Sequence, residues 1–254
     1  MGFDMNAFSL AGKKAIVTGG AKKTGLCYGM AVALHDAGAE IVILDANSQV
    51  ENTVAELGGA KSGYHAVVAN LLDLNDLSNG FQQAISALGG RLDILVNGAG
   101  LQYRCPSEEF PEDAWDRIMG VNIKGVFFMS QLAGKVMLKQ GKGKIINIAS
   151  TNSFIGLRNM PAYVSSKGGV KQLTMALSSE WSGRGINVNA IAPGSIMTDM
   201  YAAVPEEVKQ AKLAKIPLRR YGDPRETAQL YAFLASDEAS YVTAQTITID
   251  GGFN

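Results

Sequence analysis

The chain has 254 residues, 47% of them hydrophobic and 18% charged, which suits one globular domain with a sizeable buried core. Lysine plus arginine and aspartate plus glutamate both total 23, so the formal net charge is zero and no basic surface for nucleic acid is expected. The two cysteines, Cys27 and Cys105, fit neither a metal site nor a disulfide framework. No apolar stretch approaches the roughly 18 residues of a membrane span, so we expect a soluble, cytoplasmic protein without metal or membrane partners.

Seven short runs rich in valine and isoleucine recur along the chain and end at turn residues: 14–18, 40–44, 64–68, 92–96, 144–148, 186–191 and 246–249. Most do not alternate apolar and polar residues, as expected of parallel strands buried on both faces. Helical periodicity fills the stretches between them: 29–37, 74–88, 111–139, 162–181 and 224–234. This alternation predicts one α/β domain over residues 1–254, with a doubly wound parallel sheet of about seven strands. The longer segment 198–220 is predicted to be a lid over a site.

A glycine-rich turn, residues 18–29 with the sequence TGGAKKTGLCYG, joins the first predicted strand to a helix. Glycines there allow backbone N–H groups to approach a pyrophosphate at the positive end of the helix. Asp45 closes the second strand, where a carboxylate can accept the ribose hydroxyls of a dinucleotide. The turn alone is also compatible with a plain loop, but its place in a strand–turn–helix–strand unit favours dinucleotide binding.

Tyr163 and Lys167 lie four residues apart in the segment YVSSK and therefore share one face of a predicted helix. An ammonium beside a phenol favours the phenolate, so we expect Lys167 to lower the pKa of Tyr163 and make it an acid/base group. Taken alone, this spacing is more typical of an ordinary amphipathic helix. Ser150 precedes Tyr163 by thirteen residues and ends a strand, at the sheet edge where ligands bind in open parallel folds.

Together these motifs resemble the short-chain dehydrogenase/reductase family over nearly the whole chain. The resemblance implies a single-domain Rossmann fold, hydride transfer to or from a nicotinamide, and a catalytic set of Asn122, Ser150, Tyr163 and Lys167. Tyr163 is then the acid/base, and Ser150 hydrogen bonds the reacting oxygen. Lys167 biases the Tyr163 pKa and binds the nicotinamide ribose, while Asn122 holds a water that joins Lys167 to solvent. Ser153 is an alternative hydroxyl, but its offset from Tyr163 is ten, so we interpret it as pocket wall or turn.

The resemblance also implies a set of cofactor contacts, some of them in segments that depart from the family pattern. The glycine turn is about two residues longer than usual and is more similar to that of the family's enoyl reductases. Cys27 stands where a small residue is expected, and Gly98 replaces the second asparagine of the N-N-A-G motif. The implied cofactor residues are Gly19, Thr24, Gly25, Leu26, Asp45, Asn70, Leu71, Asn97, Ala99, Gly100, Tyr163, Lys167, Pro193, Gly194, Ile196 and Thr198.

The choice between NAD and NADP depends on opposing charges. Asp45 favours NAD, because a 2'-phosphate would meet its carboxylate. Lys22 and Lys23 could attract that phosphate, or they are solvated loop charges. We expect NAD, with NADP possible.

The predicted substrate is a small sugar acid. Arg104 follows the N-x-A-G element, and arginine is a natural partner for a carboxylate, although a solvated loop arginine is an equal alternative. The stretch 100–122 is similar to the sugar-acid members of the family, the gluconate 5-dehydrogenases and the 2-deoxy-gluconate or 2-dehydro-3-deoxy-gluconate dehydrogenases. The predicted substrate residues are Arg104, Ser150 and Tyr163. The segment 249–252, IDGG, also matches the family, and this resemblance implies a packed C-terminus, commonly at the interface of a homotetramer.

Two other functions remain open from the sequence. A 3-oxoacyl thioester reductase has the same catalytic set. A non-catalytic dinucleotide-binding module keeps the fold without turnover, but the intact Ser150, Tyr163 and Lys167 count against it. The enoyl reductases are disfavoured, because their tyrosine and lysine lie further apart in sequence.

Overall fold

The computed structural model describes residues 7–197 and 206–254. Seven parallel strands form one sheet in the order β3-β2-β1-β4-β5-β6-β7. The strands are β1 (Lys14–Thr18), β2 (Glu40–Asp45), β3 (Tyr64–Val68), β4 (Ile94–Asn97), β5 (Gly143–Ile148), β6 (Ile186–Pro193) and β7 (Thr246–Ile249). The predicted α/β fold with a doubly wound parallel sheet is confirmed.

The helices lie on both faces of this sheet. They are α1 (Leu26–Asp36), α2 (Gln49–Glu56), α3 (Leu74–Ala87), α4 (Glu112–Met119), α5 (Val126–Gln140), α6 (Pro161–Trp181), α7 (Glu206–Leu213) and α8 (Pro224–Ala235). The predicted helical stretch 111–139 is two helices, α4 and α5, separated by the wider π-helical turn Gly120–Gly125. Sequence periodicity does not reveal that change, because the turn carries the apolar pattern on without a break.

Two apolar layers enclose the sheet. Met30 and Leu34 of α1 pack with Tyr231 and Leu234 of α8 on one face. On the other face α3, α5 and α6 contribute a second layer that includes Phe81, Met129 and Leu177. The central strands are buried on both faces, which explains why their sequences do not alternate. Across the described ranges, no helix combines the length and the apolar character that crossing a bilayer requires.

Candidate active site

The loops after β1, β4, β5 and β6 meet at the carboxyl edge of the sheet. The strand order reverses between β1 and β4, and such a switch point is where open α/β sheets bind ligands. A cavity of about 680 Å³ opens at this edge. It is lined by Ser150 and by nine of the residues predicted to contact the cofactor: Thr24, Gly25, Leu26, Gly100, Tyr163, Lys167, Pro193, Gly194 and Ile196.

The glycine turn shapes the floor of this cavity. Gly19 and Gly20 have φ angles of 79° and 124°, a left-handed region that favours glycine. A Cβ on Gly19 would lie 3.2 Å from the Ala99 Cα, so the turn packs directly on the loop after β4. Gly25 caps α1 without a side-chain hydrogen bond. The start of α1 therefore has no capping side chain, and Gly25 and Leu26 line the cavity, an arrangement that suits anion binding at a helix start.

Thr18, which sequence reasoning missed, holds the two loops in register. Its Oγ1 accepts hydrogen bonds from the Gly98 N–H at 3.0 Å and the Ala99 N–H at 3.2 Å. Thr18 ends β1 beside Asn97 of β4. The signal available in the sequence was a threonine at the last position of the strand that leads into the glycine turn.

Asp45 lies at the end of β2, as predicted, and supports the glycine turn. One carboxylate oxygen accepts the Ala21 N–H at 3.0 Å and the other accepts the Asn47 N–H at 2.9 Å. Lys23 forms an ion pair with Glu56 of α2, whereas Lys22 lines the cavity. The two lysines of the turn therefore have different surroundings.

Several predicted cofactor residues do not line this cavity: Gly19, Asp45, Asn70, Leu71, Asn97 and Ala99. The Asn97 side chain is buried and donates to Ser130 Oγ and Asn147 Oδ1, both at 2.9 Å, so it joins β4 to β5 and α5. Asn70 Oδ1 accepts the Leu72 N–H at 3.0 Å and shapes its own loop. Thr198 lies outside the described residues.

Ser150, Tyr163 and Lys167 come together at the cavity wall. Tyr163 and Lys167 follow each other by one turn of α6, and the Lys167 Nζ lies 5.9 Å from the centre of the Tyr163 ring. Lys167 is 4% exposed and donates to the Ile148 carbonyl at 2.5 Å. Burial lowers the pKa of Lys167 to about 8, and an electrostatic interaction with Cys27 opposes this shift.

The pKa of Tyr163 differs from the sequence-based expectation. Burial raises it above the ordinary value of 10.0, and a hydrogen bond with the Ser150 side chain lowers it in part. Lys167 is not among the causes of the shift. The expected lowering by Lys167 was wrong, because the sequence shows the lysine neighbour but not the depth at which the phenol is buried.

Ser153 holds Ser150 in position through hydrogen bonds to the backbone. Ser150 caps the short turn Thr151–Ser153, and its Oγ accepts the Asn152 N–H at 3.1 Å. The Ser153 Oγ accepts the Ser150 N–H at 3.3 Å and donates to the Lys167 carbonyl at 2.7 Å. The turn interpretation of Ser153 agrees with this geometry.

Asn122 lies in the π-helical turn and is fully buried. Its Oδ1 accepts the Leu101 N–H at 2.7 Å, and its Nδ2 donates to the Leu101 carbonyl at 2.9 Å and to Ser166 Oγ at 3.0 Å. The side chain therefore anchors the loop after β4 to α6, next to Lys167. A Cβ on Gly100 would lie 3.4 Å from Oδ1, so this loop approaches Asn122 closely.

A second cavity, of about 890 Å³, adjoins the first and shares Gln102, Ser150, Tyr163 and Gly194 with it. Arg104 lines it, together with Lys212 and Lys215 from the end of α7 and the segment that follows it. Among the described residues of its lining there is no aspartate or glutamate. The structure thus brings the predicted substrate residue Arg104 to the same cavity as Ser150 and Tyr163, and adds the two lysines, Gln102 and Phe253 to its lining.

Comparisons with known proteins agree with this architecture. Residues 19–254 match the family described as Enoyl-(Acyl carrier protein) reductase. The chain is 41% identical over 256 residues to a 2-dehydro-3-deoxy-D-gluconate 5-dehydrogenase from Pseudoalteromonas atlantica, and the match covers 98% of each protein. It is 37% identical over 244 residues to the 3-oxoacyl-[acyl-carrier-protein] reductase FabG of Thermotoga maritima, covering 96% of this chain and 98% of that protein.

A solved structure with the same fold is the gluconate 5-dehydrogenase from Burkholderia cenocepacia, which was crystallised in complex with NADP and tartrate. It superposes with a TM-score of 0.91 at 32% identity, covering 98% of this chain and 97% of the other. The fold and the comparisons define an NAD(P)-dependent oxidoreductase that acts on CH–OH groups. The chain belongs to the short-chain dehydrogenase/reductase family, and the predicted family, enzyme class and cofactor class are confirmed.

Proposed function

We propose that this enzyme interconverts a secondary alcohol and a ketone on a small sugar acid of the gluconate or deoxy-ketogluconate type. One observation carries the proposal: the cavity that holds Ser150 and Tyr163 is also lined by Arg104, and no carboxylate of the described residues lines it. Such a site suits an anion whose reacting carbon lies beside a phenol and a hydroxyl. The names of the relatives and of the solved gluconate 5-dehydrogenase support the same class.

The first cavity fits a nicotinamide dinucleotide. Gly19 and Gly20, both left-handed, add no side chain to the turn, and α1 begins without a capping side chain, which leaves room for an anion at the start of the helix. We assign the pyrophosphate to Thr24, Gly25 and Leu26. The nicotinamide end is assigned to the residues of the other wall: Gly100, Tyr163, Lys167, Pro193, Gly194, Ile196 and, outside the described ranges, Thr198.

We also propose NAD as the preferred form. Asp45 closes β2, and Lys23 is already paired with Glu56, which weakens its attraction for a 2'-phosphate. Lys22 lines the cavity and favours NADP. The Burkholderia cenocepacia structure contains NADP, so the preference needs a direct test.

When bound, the nicotinamide accepts or supplies the hydride. Tyr163 moves the proton: because burial raises its pKa, the phenol is protonated near neutral pH and suited to protonate a carbonyl oxygen in the reduction direction. In oxidation the phenolate takes the alcohol proton, and this direction is favoured as the pH rises. Ser150, already hydrogen bonded to Tyr163, donates to the reacting oxygen as charge develops.

Lys167 and Asn122 complete the proposed catalytic set. Lys167 holds its ammonium between the Ile148 carbonyl and the cofactor cavity, where it binds the ribose and replaces the proton lost from Tyr163. The Asn122 side chain makes three hydrogen bonds to Leu101 and Ser166. Asn122 therefore contributes to the proposed proton relay between Lys167 and solvent by positioning Leu101 and Ser166 beside Lys167.

A 3-oxoacyl thioester reductase is the second candidate, because the chain is 37% identical to FabG of Thermotoga maritima over most of its length. The cations of the second cavity favour the sugar acid.

We further propose that the segment 198–220 closes over the substrate, and that the protein is a cytoplasmic homotetramer. The apolar residues of β7 remain partly exposed in the single chain, as expected where strands of a second copy pack.

A cofactor-coupled assay tests the proposed function. Gluconate-type acids, their uncharged sugars and 3-oxoacyl thioesters are compared, each with NAD(H) and NADP(H), for the wild type, Tyr163→Phe and Arg104→Ala. We expect turnover of the acids, a loss of about 10²-fold or more in kcat for Tyr163→Phe, and loss of selectivity for acids over uncharged sugars in Arg104→Ala. Turnover of thioesters alone would replace the sugar-acid assignment. Undiminished activity of Tyr163→Phe would contradict the mechanism.

A further inference from the structure

The segment that follows β7 folds into a tight turn beside the second cavity. One carboxylate oxygen of Asp250 accepts the Gly252 N–H and the other accepts the Asn254 N–H, both at 2.9 Å. Gly251 and Gly252 have φ angles of 68° and 86°, so the turn uses two left-handed residues in succession. The result is that Phe253 lines the same cavity as Ser150 and Tyr163.

Two neighbouring segments fix the position of this turn. The Gly194 N–H donates to the Ile249 carbonyl at 2.9 Å, and a Cβ on Gly194 would lie only 2.5 Å from the Asp250 Cβ. Gly194 is therefore required to be small, and the turn lies directly against the loop that follows β6. The wall that Phe253 forms is thus built on the loop assigned to the nicotinamide.

The second anchor is the segment after α7. The Leu218 N–H donates to the Gly251 carbonyl at 3.2 Å. A Cβ on Gly251 would lie 2.9 Å from the Ile216 Cγ2, and one on Gly252 would lie 3.1 Å from the Pro217 Cγ. The turn and residues 216–218 are therefore packed against each other, so the backbone that carries Phe253 is also held on this side.

We infer that Phe253 is a specificity-determining residue that limits the size of the substrate. Its ring offers no hydrogen bond to a sugar hydroxyl or a carboxylate, so it contributes shape rather than polar recognition. Recognition of the acid group is assigned to Arg104, Lys212 and Lys215, which line other parts of the cavity. Compact acids are accepted, and substrates extended beyond the reacting carbon meet the ring. The preference for small sugar acids rests on the proposed function, but the limit on substrate size does not.

Opposite substitutions test the inference. Phe253→Ala enlarges the cavity and Phe253→Trp reduces it, and kcat/KM is measured for a short and a long member of two series. These are an aldohexonic and an aldooctonic acid, and the acetoacetyl and 3-oxooctanoyl thioesters of N-acetylcysteamine. We expect the long-to-short ratio to rise about tenfold in Phe253→Ala and to fall in Phe253→Trp. Phe8→Ala is the matched control, because Phe8 packs on Phe233 and does not line the cavity.

A further variant separates the ring from its support. Asp250→Ala removes both hydrogen bonds of the turn, so we expect the ratio to move in the same direction as in Phe253→Ala, with a lower melting temperature. Dissociation constants for NADH, from its fluorescence, should remain within about threefold in the Phe253 variants. If only the thioesters turn over, the proposed function fails and the ratio within that pair still tests the size limit. An unchanged ratio in both Phe253 variants would overturn the inference.

Discussion

The sulfur of Cys27 occupies the space that a side chain at position 98 would need. A Cβ built on Gly98 would lie 2.6 Å from the Cys27 Sγ. Burial raises the pKa of Cys27 to about 12, so the thiol is neutral and packs as a small apolar group between the glycine turn and the loop after β4. The chain departs from the family pattern with a larger residue at 27 and a smaller one at 98. The small residue at 98 thus leaves the space that the larger Cys27 side chain fills.

This contact predicts a coupling between the two positions. Gly98→Ala should destabilise the protein by about 2 kcal/mol through overpacking, and should weaken dinucleotide binding because the glycine turn must shift. In a Cys27→Ala background, Gly98→Ala should destabilise the protein by about 1 kcal/mol less. Part of the destabilisation should remain, because the Thr18 carbonyl oxygen lies 2.8 Å from the same Cβ. Urea unfolding and NADH titration of the four proteins measure the cycle. Strictly additive effects would show that the contact carries no coupling.

The burial of Lys167 has a cost in stability. Its pKa is about 8 in the folded protein against an ordinary 10.5, so at pH 7 the charged form is held in an unfavourable environment. Lys167→Met should therefore raise the free energy of unfolding at pH 7, on the order of 2 kcal/mol after the lost hydrogen bond to Ile148 is deducted. It should also abolish turnover.

The pH dependence of this effect has a definite sign. Between pH 8 and 10.5 the folded lysine is already neutral while the unfolded chain still binds the proton, so wild-type stability rises with pH. The advantage of Lys167→Met should therefore shrink from pH 7 to pH 10. Urea unfolding at both pH values measures it, with the exposed Lys135→Met on α5 as control. An advantage for the variant that grows with pH is the opposite of this prediction.

The NAD preference can be tested at Asp45. Asp45→Asn removes the charge that a 2'-phosphate would meet and keeps an oxygen able to accept one of the N–H groups of Ala21 and Asn47. We expect the ratio of kcat/KM for NADP over NAD to rise about tenfold, with Asp36→Asn as a control at the end of α1. If the ratio is the same in wild type and Asp45→Asn, the Asp45 carboxylate does not determine the preference between NAD and NADP.

The sequence and the structure agree most closely where local pattern decides the outcome. Each of the seven strands is a short run rich in valine and isoleucine or in other apolar residues, so all seven were recognisable. The position of Tyr163 and Lys167 on one helix face follows from helical geometry alone. The π-helical turn around Asn122 was not predictable, because its apolar pattern continues that of the helices on either side. Its partner Leu101 lies on a different loop, and only the fold brings the two together.

Long-range burial and loop contacts explain the other differences. The pKa of Tyr163 depends on how deeply the fold buries the phenol, which no local motif encodes. The Thr18 hydroxyl holds Gly98 and Ala99, eighty residues further along the chain. Phe253 reaches the second cavity because Asp250 and two glycines bend the segment after β7, whereas the sequence of this segment indicated only a packed C-terminus.

The last prediction concerns Ser153 and its hydrogen bonds in the proposed catalytic centre. Its hydroxyl joins the Ser150 N–H to the Lys167 carbonyl, so Ser153→Ala should leave Ser150 less well aligned with Tyr163. We expect kcat to fall about tenfold with little change in KM, because positioning of this kind acts on the transition state. Ser153→Thr keeps the hydroxyl and should retain most of the activity. The melting temperature of each variant separates misalignment from unfolding, and full activity of a stable Ser153→Ala would show that the turn positions Ser150 without this bridge.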